Sequence, residues 1–168
     1  SAAVKLLTSE MSGGILPLSD ETFQLLQSKH PESKPCHPDA LIDTHAPEVH
    51  EVVFDTISEA SIKSAAMNTK GGSGPSGLDA DSWRNILVSR GFGQCTEELR
   101  TELALATKQM CIEKVEIEHH EGESPTSSLE AFLACRLIPL DKNPGLRPIG
   151  VGEVLRRIIG KVVMQVLR

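Results

Sequence analysis

The feature that most constrains this chain is the apolar stripe at its end. Val154, Leu155, Ile158, Ile159, Val162, Val163, Val166 and Leu167 recur at i, i+1, i+4 and i+5. That spacing gathers all eight on one face of an α-helix. Arg156, Arg157, Lys161 and Gln165 take the other face. Burying eight such side chains contributes roughly 12–24 kcal/mol gross, an upper bound at about 1.5–3 kcal/mol each. A stripe of this size demands a partner surface. The sequence reading expects that partner outside the 168 residues.

Two apolar segments precede the stripe. Arg136 to Leu140 and Leu146 to Val151 flank Asp141-Lys142-Asn143-Pro144-Gly145, a strong turn composition, which predicts a β-hairpin. The C-terminal part thus reads as strand, turn, strand, helix, with cations at the turn and on the helix. Such a layout suits phosphate binding. A guanidinium offers a planar fork to phosphate oxygens, and a lysine adds a mobile point charge. The net charge of −6 argues against a polyanionic partner, but its distribution argues for one. From Leu129 to Arg168 there are seven cations and three acids, whereas the other 128 residues carry ten cations and twenty acids. This asymmetry points to a local anion site at the basic end.

The remainder predicts an α+β chain, mostly helical, in three parts: residues 1–50, 51–128 and 129–168. Residues 1–50 read as a loosely ordered segment or linker, because Pro31, Pro35, Pro38 and Pro47 interrupt regular structure. Within them, Asp20 to Lys29 predicts a short helix capped by Ser19 or Asp20. Ser58 reads as the N-cap of a helix running to about Asn68, with Ile57 and Ile62 as a hydrophobic staple. Gly71 to Gly77 is a loop. Asp79 caps a predicted helix from Ala80 to Arg90, with Gly91 as the left-handed residue past its end. Thr96 is expected to cap the next helix, whose buried stripe is Leu99, Leu103, Ala106 and Met110. Glu113 to Ser128 reads as an exposed acidic loop, and Leu129 to Ala134 as one helical turn. With 3% aromatics and no Tyr, the core must come from Leu, Ile, Val and Ala.

Several residue groups invite a functional reading and have a plainer one. Asp79-Ala80-Asp81 mimics a metal pair but sits where carboxylates cap helices. Phe54-Asp55 mimics a catalytic strand yet lies far upstream of the hairpin. The Gly71–Gly77 loop lacks the Gly-Lys-Ser/Thr ending of a phosphate loop and reads as a flexible turn. Cys36-His37 with His45 and His50 has no standard zinc-finger spacing, and His119-His120 falls in the acidic loop. Trp83 reads as a core anchor and Cys135 as a buried small hydrophobe. No catalytic or metal-ligating residue is therefore assigned. No apolar run approaches the ~20 residues of a membrane-spanning helix. Four cysteines without a Cys-x-x-Cys pair imply reduced thiols, hence an intracellular protein, nuclear or cytoplasmic. The lack of an initiator Met suggests a processed terminus or a fragment.

Ile138-Pro139, Lys142, Gly145 and then Arg147-Pro148-Ile149 resemble the opening strands of reverse transcriptases, closest to those of retroelements without long terminal repeats. Upstream, Gly74-Pro75-Ser76-Gly77-Leu78-Asp79 is similar to the Gly-Pro-x-Gly-hydrophobic segment that precedes the fingers in that family. The two segments occur in the family's order and span residues 52–168 with the helices between them. The resemblance implies that residues 129–168 begin the fingers, that Lys142 and Arg147 bind the triphosphate of the incoming nucleotide, and that Arg156, Arg157 and Lys161 contact the template backbone. It implies an RNA template, a DNA primer and deoxynucleotides as partners of the intact enzyme, with no membrane. It also implies Mg²⁺ in that enzyme, held by carboxylates of the palm. After Asp141 this chain has one acid, Glu153, so the palm is missing from it, no cofactor is bound by this chain, and it is expected to be inactive alone. Two other readings stand beside this one: a stand-alone nucleic-acid-binding remnant with salt-sensitive RNA affinity, and a helical interaction module docking through its last helix.

Overall fold

A computed structural model describes residues 14–30, 49–113, 128–142 and 144–168. The Cys36, His37 and His45 group, the His119-His120 pair and the prolines from Pro31 to Pro47 lie outside these residues. Among the described residues the chain is α+β and mostly helical, with one two-stranded antiparallel hairpin and a C-terminal helix. It divides into two units, Ser1–Pro47 with Leu137–Gly150, and Glu48–Arg136 with Val151–Arg168. Among the described residues no helix is long and apolar enough to cross a membrane.

The larger unit is built around α2 (Glu59–Asn68). Helix α1 (Asp20–Ser28) belongs to the smaller unit. Ser58 and Ser61 close a capping box at the start of α2, and Ile57 and Ile62, on either side of it, are both buried. Ala65 and Ala66 are buried on the same helix, and their small size lets neighbours approach closely. Those neighbours are α3 (Ala80–Val88), α4 (Gln94–Ile112) and α6 (Val154–Val166). A 3₁₀ turn, Glu51–Thr56, adds buried Phe54 to the same core. A short helix, α5 (Ser128–Leu133), leads into the hairpin strands β1 (Cys135–Asp141) and β2 (Leu146–Gly152).

Helix α6 follows the periodicity of the sequence, but its partner does not lie where expected. Val154, Ile158 and Val162 are wholly buried at spacings of four, with Ile159 beside them. The surface that covers them is α2, α3 and the 3₁₀ turn, all within this chain. Leu155, Val163 and Val166 are half-buried and Leu167 is exposed, so the covered face is narrower than the eight-residue stripe.

Helix α4 departs from its predicted face. Thr96 does not cap it but lies buried inside its first turn, because the chain turns at Gly93, whose φ of +54° suits glycine. Gly91 lies within a 3₁₀ turn and has no positive φ. The buried residues are Thr96, Arg100, Ala104 and Thr107, while Leu99 and Met110 are exposed. The cause is Arg100, whose Nε donates to the Glu59 carboxylate and whose Nη1 donates to the Leu87 carbonyl at 2.9 Å. Two distant acceptors draw a cation inward and rotate the helix by about one residue from the apolar prediction. Helix α3 also ends earlier than predicted, at Val88, where Ser89 takes up extended backbone.

In the smaller unit, Ser19 caps α1, its Oγ accepting from the Thr22 N–H at 3.2 Å. Thr22 and Leu26 are buried on α1, while Phe23 and Leu25 are exposed. Strand β1 is bonded on both sides. Its second neighbour is the segment Gly14 to Leu16, where Ile15 bridges Leu140, Leu16 N–H donates to the Pro139 carbonyl at 2.9 Å and Asp141 N–H to the Gly14 carbonyl at 3.0 Å. The hairpin closes where Lys142 N–H donates to the Gly145 carbonyl at 2.9 Å, with Gly145 at φ +101°. Counting back from that pair sets Pro139 opposite Pro148. The Pro139 carbonyl points away from β2, so this is a non-hydrogen-bonded pair and neither proline removes a rung between the strands.

Candidate functional site

The residues singled out in the sequence fall into two groups. Lys142 and Arg147 belong to the hairpin, in the smaller unit. Both are exposed, whereas Pro139 and Leu146 are buried. In the hairpin register Lys142 faces Gly145 and Arg147 faces Leu140. Two-residue alternation then brings Lys142 and Arg147 out on the same side of the ribbon, opposite the face that buries Pro139 and Leu146. Among the described residues neither takes part in an ion pair. A planar donor and a mobile cation thus leave one face of a two-stranded ribbon, an arrangement able to hold an anion with several oxygens.

Arg156, Arg157 and Lys161 belong to α6, in the larger unit, and all three donate hydrogen bonds to backbone carbonyls. Lys161 Nζ donates to the Asn68 carbonyl at 2.6 Å. Arg157 Nη1 donates to the Lys70 carbonyl at 2.9 Å and Nη2 to that of Gly72. Arg84 of α3 donates to the Thr69 carbonyl at 3.0 Å. The last carbonyls of a helix carry the negative end of its dipole and lack partners within it. Cations from α3 and α6 therefore complete the end of α2 and its exit. Arg156 instead donates to the Leu133 carbonyl at 2.8 Å and approaches the Cys135 sulfur at 3.5 Å. Cys135 is exposed rather than buried as a small hydrophobe. It opens β1 at the exposed end of the strand, next to a guanidinium instead of apolar side chains.

The Gly71–Gly77 loop is pinned at several points. Ser76 contributes two donors to one carboxylate, its N–H at 2.6 Å and its Oγ at 2.8 Å from the two oxygens of Glu153. Gly74 is buried against the start of α6, and a Cβ there would lie 2.8 Å from the Glu153 nitrogen. Gly77 closes the turn at φ +79°. The two Ser76 donors are thus already occupied by the chain's own anion. Asp79 is a helix cap. Its carboxylate accepts from the Ser82 N–H at 2.8 Å, and this bond, with a second from the Ser82 side chain, holds its carboxyl below the ordinary value against a small opposing effect of burial. Asp81 pairs with Arg84. Trp83 packs half-buried against the core, and burial pushes the Cys111 thiol up. Among the described residues no three His, Cys, Asp or Glu side chains gather to hold a metal ion.

No family model, curated protein or solved structure matches the chain. Two features of the residues' placement carry no sequence signal. The Ser76–Glu153 clasp joins residues 77 positions apart, and the Arg157 and Lys161 bonds join residues 85 to 93 apart. Local periodicity and motif spacing do not report such pairings.

Proposed function

We propose that this chain forms the fingers portion of an RNA-directed DNA polymerase from a retroelement without long terminal repeats. Lys142 and Arg147 grip the triphosphate of the incoming deoxynucleotide, and the basic face of α6, with Arg156, Arg157 and Lys161, turns toward the template backbone. Its partners are RNA template, DNA primer and the palm that carries the catalytic carboxylates. It works inside the cell, in the nucleus or the cytoplasm. The Mg²⁺ that serves such enzymes would be held by carboxylates of the palm, and no step through it is assigned to this chain.

The observation that carries this reading is the hairpin. Two exposed cations leave one face of the ribbon, neither in an ion pair among the described residues, and an amphipathic basic helix follows at once. Support also comes from order: the Gly-Pro-Ser-Gly segment lies upstream and touches the residue that opens that helix. The test is primer extension on an RNA template by the polypeptide translated from the complete reading frame that contains this chain. The expected result is extension, with Arg147→Gln raising KM for deoxynucleotide by about 10- to 100-fold, the loss of a charge-assisted bond of about 1.5–3 kcal/mol. No extension by the parent, or an unchanged KM in both Arg147→Gln and Lys142→Gln, rejects the reading.

A further inference from the structure

The Gly71–Gly77 loop carries a hydroxyl that is exposed and yet pins the loop. Gly74 to Gly77 form a turn closed by the Gly77 N–H donating to the Gly74 carbonyl at 3.2 Å, and Pro75 and Ser76 are its exposed tip. Ser76 Oγ donates to the Glu153 carboxylate at 2.8 Å and accepts from the Leu78 N–H at 3.2 Å. The Ser76 N–H donates to the other oxygen of the same carboxylate. Other serine hydroxyls serve their own segments: Ser19 and Ser58 act at helix caps, and Ser28 donates to the Leu25 carbonyl. Among the described residues Ser76 is the serine whose hydroxyl holds a carboxylate from a distant part of the chain. The sequence after it is acidic, with Asp79 three residues on and Asp81 five. No other described serine has an acid three residues on.

The geometry points to Ser76 as a phosphorylation site for a protein kinase that reads carboxylates on the C-terminal side of its target serine. Ser76 Oγ attacks the γ-phosphorus of ATP. An Oγ–P bond forms, the bond from that phosphorus to the bridging oxygen breaks, ADP leaves, and the hydroxyl proton passes to the kinase's base. The turn tip is exposed and belongs to no helix or strand, so a kinase can draw it out without opening the core. Modification removes the one proton that Oγ can donate and sets a charge of about −1.5 to −2 against the Glu153 carboxylate. Both effects oppose the clasp. A phosphate orders a loop where unpaired guanidinium groups face it, and loosens a loop where it meets a carboxylate. The guanidinium that reaches this loop, Arg157, already gives both terminal nitrogens to the Lys70 and Gly72 carbonyls. Phosphorylation therefore releases the loop from the start of α6, whether or not the chain serves a polymerase.

The test incubates the full chain with the acid-directed serine kinase casein kinase II and ATP, then locates phosphate by tandem mass spectrometry. Phosphate is expected on Ser76, and Asp79→Asn should slow its incorporation there by about tenfold or more through the loss of a charge-assisted contact. Asparagine caps a helix about as well as aspartate, so this variant keeps the start of α3. Phosphorylation should speed hydrogen exchange at the Ser76 amide, which donates to Glu153, and lower the melting temperature by about 2–4 °C. Glu153→Gln removes the opposing charge and still offers Ser76 an oxygen, so phosphorylation of this variant should lower its melting temperature by less than about half as much. Phosphate missing from Ser76 overturns the site. Incorporation at the parent rate in Asp79→Asn overturns its recognition through acids. Phosphate on Ser76 with amide exchange and melting temperature unchanged overturns the release of the loop, and so does an equal drop in Glu153→Gln, since charge repulsion is then not its cause.

Discussion

Gly74 is the position where one methyl group tests the packing described above. A Cβ placed there meets the Glu153 nitrogen at 2.8 Å, the Glu153 Cα at 2.9 Å and the Gly152 carbonyl carbon at 2.9 Å. Carbon atoms pack at about 3.5–4.0 Å, so the methyl falls roughly 0.6–1.1 Å short of room. All three obstacles are backbone at the start of α6, where no side chain can swing aside. The loop must retreat from the helix or the helix must shift. Overpacking of this kind costs about 1–3 kcal/mol. The same retreat lengthens the two Ser76 bonds to Glu153, which are solvent-exposed and add at most about 1 kcal/mol. A loss near 2 kcal/mol lowers Tm by about 4–8 °C in a chain of this size. Circular dichroism melts of the full chain measure it. Gly72→Ala is the internal control, because nothing lies within 4 Å of its Cβ position, and it should be neutral or raise stability by about 0.4–1 kcal/mol. If Gly74→Ala melts together with Gly72→Ala, the loop does not seat against α6 as described.

Two further outcomes bear on the core and on pH. Ile158→Ala, at a wholly buried position of α6, should cost about 2–5 kcal/mol in urea unfolding, whereas Leu167→Ala, at an exposed one, should cost under about 0.5 kcal/mol; equal losses would mean that α2 does not cover this face. Asp79 has a folded pKa below its ordinary value, so its stabilising effect is present above the unfolded value of about 3.9 and is lost as pH falls through the folded one. Asp79→Ala should therefore lower Tm at neutral pH, with the gap to the parent closing in acid, and a gap constant with pH would contradict the capping bond.

Local signals in the sequence settled the elements whose causes are themselves local. The Ser58 cap with its Ile57–Ile62 staple, the Asp79 cap and the strand–turn–strand pattern around Gly145 each depend on a few adjacent residues, so each was legible from composition and spacing. The stripe of α6 was legible for the same reason, since helical periodicity is a property of one segment. What covers the stripe was decided by tertiary structure, which packed α2, where Ala65 and Ala66 are buried, against α6. Tertiary structure also decided the buried face of α4, because Glu59 and the Leu87 carbonyl pulled Arg100 inward against the apolar pattern. At the candidate site the cations were visible as residue types, but their tasks were not. Arg157 and Lys161 reach carbonyls 85 to 93 positions away. A hydrogen-bond donor carries no mark of its acceptor until folding brings the two within 3 Å, which is why the cations could be read from the sequence and their bonds to the scaffold could not.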